Sequence, residues 1–77
     1  MKAAKQLEAI NDELYRAQGR ILIAQSSANL LTADEISYSD LSDIDDAFGF
    51  TLKILETLIT KNKIVLKGLK EREKRND

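Results

Sequence analysis

Between Phe48 and Leu69, apolar residues recur at alternating steps of four and three: Phe48, Leu52, Leu55, Ile59, Leu66 and Leu69, with Asn62 the one polar member. That spacing lines one side of an α-helix and does not suit a strand, whose faces alternate at every second residue. Ile54, Leu58 and Val65 run beside this row, so the apolar sector is wider than a single neighbouring helix covers. The rest of the chain is therefore expected to supply or recruit at least two helical neighbours.

The same alternation holds over four heptads in Ala3, Leu7, Ile10, Leu14, Ala17, Ile21, Ala24, Ala28 and Leu31, which predicts a first helix over 3–31 with these residues on its seam. The small side chains of Ala17, Ala24 and Ala28 would let another helix approach closely. Leu22, Ile23 and Leu30 fall off that seam and, with Ile54, Leu58 and Val65, are candidate partner contacts. Gly19 lies opposite the seam and marks either a mild bend or a close contact. Residues 32–40 break the pattern and read as a linker with room for one helical turn. Candidate helix caps there are Thr32 with Glu35 and Asp40 with Asp43. A second helix is then predicted over 41–74. Leu41 and Ile44 lead to Phe48 by steps of three and four, and Leu52 follows four later, a stutter beside Gly49 that predicts altered winding or a close helix approach. At 1.5 Å per residue the helices would span about 43 Å and about 50 Å, the second overhanging the first and solvated beyond Leu69.

With 77 residues, 43% hydrophobic and no Trp, the chain is expected to form one domain, 1–77, near the lower size limit for a self-sufficient core. Ordering it costs roughly 1.5 kcal/mol per residue, about 115 kcal/mol in all, which a single two-helix seam offsets poorly. Cysteine and histidine are absent, removing disulfides, thiol chemistry and the usual zinc, haem and copper ligands, so no metal or cofactor is expected. No long apolar run follows Met1, so neither a secretory signal nor a spanning helix is expected, and the predicted location is cytoplasmic. The formal charge of −1 hides a segregation: residues 1–52 hold four basic and nine acidic side chains, and 53–77 hold eight and four.

Chemistry-bearing patterns are few. Asp40, Asp43, Asp45 and Asp46, with Asp34 and Glu35 before them, could contact a hard cation. Yet a calcium loop starting at Asp43 would place Ala47 and Phe48 where a ligand and the turn glycine belong. Acidic groups stabilising a helix N-terminus explain the cluster more simply. The basic run Lys61, Lys63, Lys67, Lys70, Arg72, Lys74 and Arg75 suits a solvated helix end and offers Lys63, Lys67, Lys70 and Lys74 as candidate anion contacts, although no aromatic residues are interleaved for stacking on bases. Asn62 either lies buried and fixes register by needing a partner, or sits at the edge of a seam marked by Leu58 and Val65. The pairs Glu8 with Asp12 and Asp43 with Asp46 have no matching inward pair, and no histidine serves as a base, so no enzymatic activity is expected.

The expected fold is all-α: an antiparallel two-helix hairpin that pairs into a homodimeric four-helix bundle. The expected function is that of a small non-enzymatic protein-interaction module, an adaptor, chaperone or inhibitor, acting through a helical face. The alternatives are a nucleic-acid-binding regulator using the basic C-terminal helix end and a peripheral membrane-surface protein using Ile54 to Leu69 as an amphipathic helix. The partners expected are a second copy and another protein, with nucleic acid and membrane as the weaker readings.

Overall fold

Residues 2–76, the part described in a computed structural model, form α1, Lys2–Ala28, and α2, Tyr38–Asn76, joined by residues 29–37. Helix α1 stops short of the predicted Leu31 because its winding tightens: Leu30 N donates to Ser27 O at 3.2 Å and Leu31 N to Ala28 O at 3.1 Å, the three-residue pattern of a closing turn. One further turn follows, in which the Thr32 carbonyl accepts from the amides of Glu35 at 3.0 Å and Ile36 at 3.1 Å. Thr32 caps that turn, its hydroxyl donating to Glu35 Oε1 at 2.9 Å, while the N-cap of α2 is Ser37 in place of the expected Asp40. Its carbonyl accepts the Leu41 amide at 3.0 Å and its hydroxyl accepts the Asp40 amide at 3.1 Å, so the helix begins three residues earlier than its first apolar residue. Asp40 lies in the first turn and Lys74 and Arg75 in the last, each sign matched to the helix dipole.

The two helices run antiparallel. Ala4 N meets Glu73 Oε1 at 3.4 Å, Asn62 Nδ2 donates to Asn11 Oδ1 at 3.0 Å, and Gln25 Nε2 donates to Asp45 Oδ1 at 3.1 Å, so partners advance along α1 as they recede along α2. The inward residues of α2 are Leu41, Asp45, Phe48, Leu52, Leu55, Ile59, Asn62, Leu66, Leu69 and Glu73, an unbroken alternation of four and three. The expected stutter is absent because the charged Asp45, and not Ile44, occupies the heptad position. Asp45 is tolerated there because the Gln25 amide bonds its carboxylate.

In α1 the inward residues are Ala4, Leu7, Asn11, Leu14, Gln18, Ile21, Gln25 and Ala28. The seam is thus rotated by one row from the predicted one. Leu7, Leu14, Ile21 and Ala28 point inward, whereas Ala3, Ile10, Ala24 and Leu31 are exposed and Ala17 is half-exposed. The reason lies across the interface, where α2 offers Asn62 to Asn11 and Asp45 to Gln25, making a mostly polar row acceptable inside.

The hairpin measures 63 × 15 × 10 Å, and its core is thin. Among the described residues only Ala4, Asn11 and Ile59 are buried. Helix α2 passes Gly49 without a close approach, since a Cβ there would meet nothing within 4 Å, and the same is true of Gly19.

Candidate interaction face

Naming the inward rows a and d, with Asn11 at a in α1 and Asn62 at d in α2, leaves an e row and a g row flanking the seam on each helix. Because the helices are antiparallel, e faces e on one side of the hairpin and g faces g on the other. The e side is identified directly by two contacts. Lys70 Nζ pairs with Glu8 Oε1 at 2.7 Å, and Lys63 Nζ stands 5.3 Å from the centre of the Tyr15 ring. All four residues belong to e rows, so this flank carries polar contacts made within the chain, although its side chains remain exposed.

The g side is different in kind. It carries Ala3, Ile10, Ala17 and Ala24 from α1 and Ile44, Thr51, Leu58, Val65 and, toward the chain's end, Arg72 from α2. On the register set by the Asn11–Asn62 bond, the g-row residues nearest one another are Ile10 and Val65, Ala17 and Leu58, and Ala24 and Thr51. These rows hold no acidic side chain, and Ile10 and Val65 are each 51% exposed. A hollow of about 230 Å³ lined by Ile44, Ala47, Phe48 and Thr51 opens on this side. Around the back of α2, Phe50, Lys53, Ile54, Thr57, Leu58 and Lys61 line a shallow groove of about 380 Å³, so the apolar surface continues beyond the g row.

The predicted site residues now divide by position. Phe48, Leu52, Leu55, Ile59, Asn62, Leu66 and Leu69 all turn toward α1. Leu22, Ile23, Leu30, Ile54, Leu58 and Val65 are all exposed, but they do not form one patch. Leu22 is on the e side, Ile23 is on the back of α1, Leu30 is in the joining segment just beyond that helix, and the α2 trio lies on and beside the g side. Of the four lysines, Lys63 and Lys70 are engaged by Tyr15 and Glu8, while Lys67 and Lys74 are exposed. The acidic cluster is not gathered into one site: Asp45 turns into the seam and Asp34, Asp40, Asp43 and Asp46 stay exposed.

The sequence pattern missed the inward Asn11, Gln18 and Gln25 and the cap Ser37. Of these, only Ser37 had a local signal, the Ser-x-x-Asp spacing to Asp40. No helix among the described residues is long and apolar enough to cross a membrane. Comparison with protein-family models, curated proteins and solved structures finds no match for this chain.

Proposed function

We propose that this chain is a small non-enzymatic protein-interaction module that acts through a helical face of a larger bundle, in the manner of an adaptor, chaperone or inhibitor. One observation carries the proposal: α1 turns a row containing Asn11, Gln18 and Gln25 inward and leaves the row containing Ala3, Ile10, Ala17 and Ala24 outward. A hairpin meant to stand alone would gain by rotating α1 so that the more apolar row faced α2. The polar row is instead fixed inside by specific hydrogen bonds, which leaves the apolar row free for helices from elsewhere. Helices of four-helix bundles show this arrangement, with one flanking row added to the two seam rows. The fold-class expectation of paired hairpins belongs to this reading.

A photo-crosslinking residue placed at Leu58, on the g side, tests it. Discrete crosslinked polypeptides are expected from that position, and none from the same residue at Glu56, on the e side. Equal labelling from both positions, or none from Leu58, would refute the choice of face.

A further inference from the structure

Resting on the reading of the g side as the working face, we infer that its occupant is a second copy of this chain, laid antiparallel so that α1 crosses α1 and α2 crosses α2 about a two-fold axis perpendicular to the hairpin. Three observations on different features converge on this arrangement.

The first is area. The chain exposes 6090 Å², whereas a compact monomer of this mass would expose about 4,700 Å². The excess is larger than the roughly 800 Å² that each partner contributes to a stable interface.

The second is charge. Residues 21–52, the linker half of the hairpin, carry six acidic and no basic side chains, while residues 2–20 and 53–76, the other half, carry twelve basic and six acidic. The halves therefore hold formal charges of −6 and +6. A copy placed with linkers at the same end would set like charges together, and one turned end for end sets each half on its opposite.

The third is side-chain size along the g rows. If Ala17 sits on the axis, Ile10 falls opposite Ala24 of the second copy, large against small in both directions. On α2 the g-row residue nearest Ala17 is Leu58, which then lies beside the axis, and Thr51 falls opposite Val65 of the second copy, again small against large. That level lies within about a turn and a half of the charge boundary at residues 20 and 53. The flanking row of α1 then places Glu13 opposite Arg20 of the second copy, and Arg20 opposite Glu13, so this pair is also self-complementary. In the single chain Glu13 accepts a hydrogen bond from Arg16 and both groups are largely exposed, so the Glu13 carboxylate remains accessible.

Absence of native cysteine makes the geometry directly testable. In Ala17→Cys the only two thiols of the dimer meet across the axis, so mild oxidation should yield a covalent dimer of twice 8.7 kDa. Ala24→Cys alone should not crosslink, but a mixture of Ala24→Cys and Ile10→Cys should. Light scattering on the unmodified chain should give a dimer. Glu13→Arg should raise its dissociation constant about tenfold, and Glu13→Arg with Arg20→Glu in the same chain should restore it, with circular dichroism confirming that each variant keeps its helices. Equal crosslinking of Ala17→Cys and Leu31→Cys, or charge variants that do not recover, would overturn the arrangement. A monomer at every concentration, together with photo-crosslinks from Leu58 to a different protein, would remove the second copy as occupant while leaving the interaction face in place. Loss of the Leu58 crosslinks themselves would instead remove the face.

Discussion

The hydrogen bond between Asn62 and Asn11 should appear as a measurable coupling between the two positions. Asn11 is one of the few buried residues, 5% exposed, and its side-chain oxygen accepts from Asn62 Nδ2 at 3.0 Å. Asn62→Leu removes that donor and leaves a carboxamide in the seam without its partner, a loss of about 1–3 kcal/mol. The new leucine takes a half-buried position and returns about 1 kcal/mol of that. A net destabilisation of about 1 kcal/mol is expected. Asn11→Leu strands the less buried amide, which water still reaches, so its effect should be close to neutral. Changing both removes the polar pair and places two leucines level in the seam between Leu14 with Ile59 and Leu7 with Leu66. The double variant should therefore exceed the parent by about 1–3 kcal/mol, with a coupling energy of about 2–4 kcal/mol between the sites. Urea denaturation of the four chains at one fixed protein concentration measures this, the concentration being held because assembly contributes to apparent stability. Single effects that sum to the double within about 0.3 kcal/mol would show that the bond carries no coupling and would refute the reasoning.

Other outcomes follow from the same structure. Leu55→Asp places a carboxylate opposite Gln18 in the seam, with no cation on that row, and should cost more than 3 kcal/mol and abolish the helical circular dichroism signal; retained helicity would show that Leu55 is not a seam residue. Gly49→Ala should stabilise by about 0.5–1 kcal/mol, because the added methyl meets open space in a helix interior, and an unchanged or lowered thermal midpoint would contradict this. Ser37→Ala removes the hydroxyl that accepts the Asp40 amide and should cost about 0.5–2 kcal/mol, with faster hydrogen exchange confined to the first turn of α2.

How far the fold could be read from the chain differed between the two helices, and the difference has a physical cause. The α2 seam was plain because its d row is bulky, Phe48, Leu55 and Leu69, and because Asn62 was the only polar interruption after Phe48. In α1 two apolar rows competed with one polar row, and periodicity alone prefers the apolar pair. The choice made by the fold rests on Asn11 meeting Asn62 and on Gln25 meeting Asp45, contacts between residues 51 and 20 positions apart, which no local window contains. Asp45 was misread for the same reason, as one of the acidic groups stabilising the start of α2, when it is an inward residue with a distant partner. The interaction face was legible only in pieces. Leu58 and Val65 stood out as a second row, but Ile10 and Ala17 were assigned to the hairpin seam, and only the Glu8–Lys70 and Tyr15–Lys63 contacts reveal which flank carries polar contacts made within the chain.

The two polar pairs inside the seam also govern how the gene for such a chain can change in length. Along α1 their members are separated by 14 positions, Asn11 to Gln25, and along α2 by 17, Asp45 to Asn62. A single alignment of the two arms closes both pairs, and sliding by a whole heptad, which would preserve every apolar repeat, moves the members of each about 10 Å apart and opens both. An insertion or deletion of seven residues within one arm between the pins is therefore not silent, even though the hydrophobic pattern survives it. Variation in length is admissible in residues 29–37 or beyond the outer pins, and the stretch from Asn11 to Gln25 with its counterpart from Asp45 to Asn62 forms a cassette of fixed measure.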